Sequence, residues 1–292
     1  MKKQNGMNPK FNVFDVVIYL VLIIFAVCSL YPFIYTIANS LNDAQDLMYG
    51  PIWFVPREFT FASYSVVLED EKLYASFFNT FASTAITLVV ALLLTSCVAY
   101  AMANKKLKHK KVFWYTNLIT MFVHGGMIPT YMVIVSLNLY DNFLVYILPA
   151  IYSVYNMIVL TNFFSSIDSA LYEAAVIDGA SEFKIWFSIY LPLSKPALAT
   201  VGLWIAVARW NSYMPTMLYT SKKSDMWLLQ YYLMRLIREG ESPTVDSAYA
   251  GKVNSSTLSF AAIVISSIPI LLVYPFINKC FSKGLMMGSL KG

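Results

Sequence analysis

The chain has 292 residues, of which 58% are hydrophobic and 13% are charged, and its Lys and Arg residues exceed its Asp and Glu residues by 5. So much apolar surface exceeds what a water-soluble core of this size can bury, so the composition excludes an ordinary soluble domain and indicates a protein of the lipid bilayer. The positive charges fall in short clusters between apolar runs, which excludes a nucleic-acid-binding face and is typical of residues that orient a membrane protein.

Six apolar runs are each long enough to cross a bilayer as a helix, since about 20 residues span its ~30 Å hydrocarbon core. They cover residues 14–39, 77–103, 112–135, 143–164, 197–220 and 258–281. The predicted fold is therefore an all-α membrane protein with a six-helix transmembrane domain over residues 14–281. Residues 1–13 form a segment before this domain, and residues 282–292 form a tail after it.

A cluster of lysines between the second and third spans predicts the orientation of the chain. Its members are Lys105, Lys106, Lys108, Lys110 and Lys111. A short loop this basic is expected to face the cytoplasm, and because the number of spans is even, both termini are expected there too. The segments 40–76 and 221–257 are then external, and each is long enough for a short helix at the membrane interface.

The longest predicted cytoplasmic connection, residues 165–196, reads as two short helices that meet at a turn, and we call it the elbow. Asp168 is placed to cap the first helix, Gly179 to end it, and Ser181 to cap the second, which Leu191-Pro192 ends. Small side chains around the turn leave room for another protein's backbone to approach closely. The elbow is therefore a candidate docking surface, although a solvated amphipathic connection would show much of the same pattern.

The elbow also carries short motifs at a specific spacing. They are Glu173-Ala174-Ala175, Asp178-Gly179-Ala180 and, eleven residues later, Leu191-Pro192. The spacing resembles the coupling-loop signature of permeases in ATP-binding-cassette importers. Further features resemble the maltose-permease branch of that family: Pro32 before Ser40-Leu41-Asn42, Phe78-Asn79-Thr80, Gly126-x-x-Pro129, Trp210-Asn211 and Lys283-Gly284-Leu285. The resemblance covers nearly the whole chain and is nearest to importers of oligosaccharides.

The resemblance implies the type I importer permease fold, with a cytoplasmic coupling helix between helices 4 and 5. It implies a multi-pass protein of the bacterial cytoplasmic membrane that moves a sugar or oligosaccharide inward by alternating access. The expected partners are a second, related permease chain in a heterodimer, two copies of a cytoplasmic ATPase, and an extracellular solute-binding protein. The expected ATPase-coupling residues are Glu173, Ala174, Ala175, Asp178, Gly179 and Ala180.

No catalytic residue, metal site or cofactor is expected in this chain. Gly251-Lys252 is followed by Val253, where a phosphate-binding loop needs Ser or Thr, so ATP and Mg²⁺ are expected in the partner ATPase subunits. His124 has no neighbouring ligands with which to form a metal site. His124-Gly125-Gly126 instead predicts a break in the third span.

Polar side chains inside the spans are candidates for the sugar pathway, because placing them in lipid is costly. In the fourth span, Tyr152, Tyr155, Asn156 and Asn162 recur at helical spacing and are expected on one face. Rings on that face could stack on sugars while amides bond to sugar hydroxyls. These groups could equally hold helices together.

The fifth span carries a second set of pathway candidates. Arg209 is expected to share a helix face with Tyr213, while Asn211 points elsewhere. An arginine here suits an acidic sugar, since a guanidinium pairs with a carboxylate through two hydrogen bonds. A structural ion pair is the alternative reading of Arg209.

Two other functions stay open from the residues alone. An ion-coupled secondary transporter is expected to show inverted repeats and acidic residues within its spans, and these spans offer no convincing acidic residue. A membrane-embedded enzyme needs a convergent nucleophile, base or metal ligand set, which neither His109 nor His124 has around it. Identifying the proteins that copurify with the chain would separate the three functions.

Overall fold

The computed structural model describes residues 13–239, 249 and 251–288, and of Val13, Glu239 and residues 273–288 only the backbone. The described chain is helical apart from loops and one isolated bridge between Asn42 and Phe59, which confirms the predicted all-α class. The helices are α1 (Val13–Ser40), α2 (Ala62–Glu69), α3 (Glu71–Ala103), α4 (Lys110–Phe122), α5 (Met127–Ser136), α6 (Val154–Ser165), α7 (Ser169–Ile177), α8 (Glu182–Ile185), α9 (Leu191–Leu193), α10 (Lys195–Trp210), α11 (Leu229–Glu239) and α12 (Ser255–Gly288). Residues 1–12 of the predicted N-terminal segment and residues 289–292 of the predicted tail lie outside the described residues.

Within the described ranges, three helices are long and apolar enough to cross a membrane unaided: Phe14–Ser40, Glu71–Ala103 and Ser255–Leu272. Three further pairs of helices reach this length and composition only together, with a bend at a short break. Counting each bent pair as one broken span gives six spans, the predicted number. The six-helix prediction is confirmed in this form.

The sharpest bend lies in the third span, where α4 and α5 meet at 112°. Gly126, at the break, has a φ of +87°, a left-handed backbone conformation that glycine adopts without steric cost. The predicted break at His124-Gly125-Gly126 is confirmed. The angle of the bend could not be read from these three residues.

The fifth span differs from its predicted range of 197–220. Helix α10 ends at Trp210, and the segment that pairs with it, at 84°, is Glu182–Leu193 on its other side. The side-chain amide of Asn211 donates to the carbonyl oxygen of Val207 at 2.9 Å, as does its backbone N–H at 3.1 Å, so this residue closes the helix. Beyond it the chain turns before a π-helical turn at Thr216–Thr220.

The chain divides into two compact units, Met1–Glu69 with Gly240–Ile265 and Asp70–Glu239 with Ser266–Gly292. In the second unit α3 is the central helix, along which α6 and α10 pack. A Cβ atom added to Gly202 of α10 would lie 3.3 Å from Leu92 and 3.4 Å from Leu88 of α3, so this glycine allows the two helices to approach closely. Along α3, small buried residues repeat roughly every turn: Ser76, Thr80, Ser83, Thr87, Ala91, Thr95 and Ala99.

Short helices lie in both segments that were predicted to be external, α2 in one and α11 in the other. Helix α11 packs Leu229 and Leu233 inward and leaves Arg238 exposed, as an interfacial helix does. The hydroxyl of Tyr232 donates to the carboxylate of Asp70 at 2.6 Å, which ties α11 to the residue that caps α3.

Polar side chains fix the loop between α1 and α2 in the first unit, and we call them the Asp46–Arg57 clasp. Arg57 Nε donates to both carboxylate oxygens of Asp46, at 2.9 and 3.1 Å. The side-chain amide of Asn42 donates to the same carboxylate at 2.9 Å, and its oxygen accepts the backbone N–H groups of Arg57 and Glu58. The Ser40-Leu41-Asn42 feature of the sequence therefore begins a structural loop.

We expect the Asp46–Arg57 clasp to open only in strong acid. Burial opposes ionisation of Asp46, but hydrogen bonds from Asn42 and Arg57 and the charge of Arg57 outweigh it and lower the pKa of Asp46 below its ordinary value of 3.8. The clasp's contribution to stability is complete above that value and is lost as the pH falls through the lowered pKa. At neutral pH, Arg57→Ala is expected to speed amide hydrogen exchange across residues 42–58, whereas Lys72→Ala, outside the clasp, leaves those rates unchanged. Equal rates in the two variants would contradict the clasp.

Candidate functional site

The first half of the elbow is α7, which spans nine residues from Ser169 to Ile177. Asp168 caps it, because a carboxylate oxygen of this residue accepts the backbone N–H of Ala170 at 3.0 Å. The predicted cap is therefore confirmed. It fixes the residue at which the chain leaves α6 and starts α7.

Gly179 ends α7 in the way its sequence position predicted. Its φ is +74°, and its N–H donates to the carbonyl of Val176 at 3.0 Å, while the N–H of Ala180 donates to that of Ala175 at 3.0 Å. These two bonds form a Schellman closure, in which a left-handed residue reverses the chain and satisfies the last carbonyls of a helix. Gly179 therefore sets the direction in which the elbow turns.

The second half of the elbow is nearly continuous helix. Ser181 caps α8, with its hydroxyl accepting the backbone N–H of Lys184 at 3.4 Å. Helix α8 continues through a π-helical turn, Trp186–Tyr190, into α9, which contains the Leu191-Pro192 of the signature. The predicted cap at Ser181 matches this geometry, whereas the helix runs through Leu191-Pro192 and ends at Leu193, one residue later than predicted.

The six predicted coupling residues divide between the two sides of α7. Glu173, Ala174, Asp178 and Gly179 are exposed, Ala180 is half-buried, and Ala175 is buried in the core of the second unit. The carboxylate of Glu173 has no hydrogen bond or ion pair within the described part of the chain. Five of the six positions thus reach the surface, and Ala175 packs α7 onto the bundle.

Large apolar side chains on the elbow are exposed as well, and the sequence reading missed them. Ile177 is 85% exposed and Phe183 is 69% exposed, one on each side of the Asp178-Gly179 turn. Leu171, Val176 and Phe187 extend the same kind of surface. Exposed apolar residues beside charged ones are typical of a protein contact. Their only sequence signal was that they flank a polar turn.

Between the inner side of α7 and the end of α3 lies a cavity of about 200 Å³, whose lining includes Tyr100, Lys105, Tyr172 and Glu173. Two of the tyrosines that line this cavity also bind the carboxylate of Glu182. The hydroxyl of Tyr172 donates to one oxygen at 2.7 Å, and the hydroxyl of Tyr100 donates to the other. We call these three residues the tyrosine–glutamate bridge.

The predicted polar stripe of the fourth span is wrong as a single helix face. Helix α6 begins at Val154, so Tyr152 lies before the helix, and its hydroxyl donates to the side-chain oxygen of Asn117 at 2.5 Å. Within α6, Tyr155 is exposed and Asn156 is buried, because consecutive helical residues are about 100° apart. The stripe assumed a helix that starts earlier than the real one.

Tyr155 instead pairs with a residue that the sequence analysis did not single out. Its ring centroid lies 5.7 Å from that of Trp204 in α10. Tyr155 is 53% exposed and Trp204 is 39% exposed, so the two rings form an open aromatic surface. Such a surface can stack on a sugar ring.

Arg209 and Tyr213 are not on one helix face, and that prediction is also wrong. The reason is that α10 ends at Trp210, between them. Arg209 lies half-buried in the last turn of α10, and its guanidinium has no carboxylate partner among the described residues. Asn211 accepts a hydrogen bond from Gln230 at 3.5 Å in addition to closing α10.

Residues 110–286, which include the whole elbow, match the family described as binding-protein-dependent transport system inner membrane component. The chain belongs to this family. The predicted type I importer permease fold is therefore confirmed, and the ion-coupled secondary transporter has no support. The permease is a multi-pass inner-membrane subunit of an ATP-binding-cassette importer, in which a separate subunit is the ATPase and a solute-binding protein takes part.

Relatives of the permease match it over nearly its whole length. It is 36% identical to the polygalacturonan/rhamnogalacturonan transport system permease protein YtcP of Bacillus subtilis (strain 168), over 97% of this chain and 100% of the relative. A chain from a bacterial ABC transporter involved in the import of the acidic polysaccharide alginate is 32% identical, with a TM-score of 0.86, covering 94% of the permease and 99% of that chain. A chain from a bacterial alginate ABC transporter, in complex with alginate pentasaccharide-bound periplasmic protein, shares the fold at 16% identity and a TM-score of 0.59, covering 91% of the permease and 94% of that chain.

Proposed function

We propose that the permease imports an acidic oligosaccharide by alternating access and that Arg209 binds a carboxylate of the sugar on its way through. The observation that carries this proposal is the half-buried guanidinium of Arg209, which has no carboxylate partner in the described chain. An unpaired arginine inside a span is costly, so a charged cargo gives it a function. Two of the relatives belong to transport systems for polygalacturonan and alginate, and both polysaccharides are built from sugars that carry carboxylates.

Aromatic and amide groups complete the proposed pathway. Tyr155 and Trp204 offer ring faces to the sugar, and the exposed Tyr213 offers a ring and a hydroxyl. Tyr152, Asn156 and Asn211 would position the pathway rather than bind the sugar, since Tyr152 is bonded to Asn117, Asn156 is buried and Asn211 closes α10. Specificity would then come from one charge and several stacking surfaces.

The elbow is the proposed contact with the ATPase. Glu173, Ala174, Asp178 and Gly179 present its polar and small side, and Ala175 and Ala180 pack behind them. Glu173 has no partner within the described chain, so its carboxylate is free to pair with a basic group of the ATPase. Ile177 and Phe183 would add apolar anchors that lose their exposed surface on docking.

The proposed assembly follows from one elbow per permease chain. A pair of ATPase subunits that closes on ATP and Mg²⁺ needs two elbows, and we propose that the second belongs to a related permease chain, in a heterodimer. The lysine cluster 105–111 favours a cytoplasmic elbow and cytoplasmic termini, with the solute-binding protein docking from the other side. Closure of the ATPases then moves the elbows and opens the central cavity outward, and ATP hydrolysis returns it inward.

The test compares trigalacturonate with its carboxyl-reduced counterpart, which has the same length and hydroxyls but no charge. In cells that carry the assembled importer, uptake of the labelled charged trisaccharide is expected to depend on this chain. Unlabelled charged trisaccharide is expected to compete with that uptake, and the reduced trisaccharide is not. Equal competition by the two would show that the carboxylate is not recognised.

A further inference from the structure

The tyrosine–glutamate bridge joins three elements that are separate in the sequence. Glu182 is the first residue of α8, Tyr172 lies in α7, and Tyr100 lies in the last turn of α3. Each oxygen of the Glu182 carboxylate accepts one tyrosine hydroxyl. Hydrogen bonds to an ionised carboxylate are roughly twice as strong as neutral ones, so this connection between the elbow and α3 is stiff.

Other contacts hold the two tyrosines in place. The ring of Tyr100, which is 8% exposed, packs edge-on against Tyr190 with centroids 4.8 Å apart. The ammonium of Lys106, in the loop after α3, lies 5.8 Å from the centre of the Tyr172 ring. The hydrogen bond to Glu182, followed by burial, raises the pKa of Tyr172, so its hydroxyl stays a donor at physiological pH.

Apart from the tyrosine–glutamate bridge, α7 has little apolar packing against the bundle. Ala175 is its single buried residue, and an alanine side chain buries little surface. Helix α3, by contrast, is the element along which both α6 and α10 pack. A displacement of α7 can therefore reach the membrane helices through the tyrosine–glutamate bridge.

We infer that Glu182 is a positioning residue that transmits movement of the elbow to α3, because Tyr172 and Tyr100 bind the same carboxylate. The inference rests on the proposed docking of the elbow to the ATPase. Docking uses Glu173, Ile177 and Phe183, which are exposed and do not bond to the bridge, although Glu173 also lines the cavity that Tyr100 and Tyr172 line. Breaking the bridge leaves the docking surface intact and separates ATP hydrolysis from transport.

The experiment uses the assembled transporter in proteoliposomes, with the variants Tyr172→Phe, Tyr100→Phe, the double variant and Glu182→Gln. The cargo is whichever of trigalacturonate and its carboxyl-reduced counterpart the wild type transports. Each variant is expected to raise the number of ATP molecules hydrolysed per sugar about three- to tenfold. Stimulation of ATP hydrolysis by the solute-binding protein is expected to fall by a similar factor. The double tyrosine variant is expected to resemble Glu182→Gln rather than to sum the single effects, because both tyrosines act through one carboxylate.

Tyr190→Phe is the matched control. Tyr190 lines the same cavity and packs on Tyr100, yet its hydroxyl makes no hydrogen bond within the described residues. Its removal is therefore expected to leave the ATP-to-sugar ratio and the stimulation unchanged. The same substitution is made at all three tyrosines, so loss of a hydroxyl as such is controlled.

If the bridge were purely structural, its variants would yield less assembled transporter, but the ATP-to-sugar ratio and the stimulation by the solute-binding protein would be normal. A normal value of either quantity in both Tyr172→Phe and Glu182→Gln overturns the inference. The copurified amount of ATPase separates this failure from failure of the proposed docking. Bridge variants are expected to keep the ATPase bound. If a variant of the exposed side, Glu173→Lys, also keeps a bound and fully coupled ATPase, the docking proposal itself is wrong.

Discussion

Gly179→Val is expected to reduce sugar uptake about tenfold or more, because it changes the direction in which the elbow turns. Gly179 has a φ of +74°, and a Cβ atom added there would meet nothing within 4 Å, so the cost is in the backbone rather than in crowding. A left-handed conformation costs a side-chain-bearing residue about 1–2 kcal/mol, and a β-branched residue is the least tolerant. The variant is expected to lose the two closing hydrogen bonds and to copurify with less ATPase.

Gly179→Asn is the control for this prediction. Asparagine is larger than glycine but tolerates the left-handed region, so this variant is expected to keep most of the uptake and most of the bound ATPase. Both quantities are measured in the same membranes, after normalising to the amount of permease. Equal activity of the Val and Asn variants would contradict the role assigned to the φ of this residue.

Arg209→Gln is expected to lower uptake of trigalacturonate about tenfold or more, since a hydrogen bond to a charged group contributes about 1.5–3 kcal/mol. Uptake of the carboxyl-reduced trisaccharide is expected to be unchanged, because it offers no charge to the guanidinium. Arg209→Lys keeps the charge but loses the planar pair of donors, so an intermediate value is expected. The measurement is the ratio of initial uptake rates for the two trisaccharides.

Lys195→Gln is the matched control, because it removes a cation from the first turn of the same helix. In Lys195→Gln, the ratio of initial uptake rates for the two trisaccharides is expected to stay at its wild-type value. If Arg209→Gln lowers uptake of both trisaccharides equally, Arg209 supports the bundle and the acidic-cargo proposal loses its main observation. A fall in the amount of permease would point the same way.

The elbow was predicted well from the sequence because helix caps and turns depend on residues that are close together in the chain. Asp168, Gly179 and Ser181 each act on backbone groups within four residues, and their cap and turn geometry appears where the residue types placed it. The break at Gly126 was predicted for the same reason. Its 112° angle depends on contacts between helices, which no short motif contains.

The pathway residues were predicted less well because their predicted faces require unbroken helices, and both helices are interrupted. One helix start at Val154 and one helix end at Trp210 separated Tyr152 from Tyr155 and Arg209 from Tyr213. Large apolar residues such as Trp204 do not stand out in a chain that is 58% hydrophobic. The partners of Glu182 are 10 and 82 residues away, and no periodic pattern connects such distances.

The bend between α4 and α5 has a consequence for what surrounds this part of the third span. At such a corner several peptide groups leave the regular helical bonding pattern, and hydrocarbon offers them no substitute partner. The corner is therefore expected to face water, a neighbouring helix or another subunit rather than acyl tails.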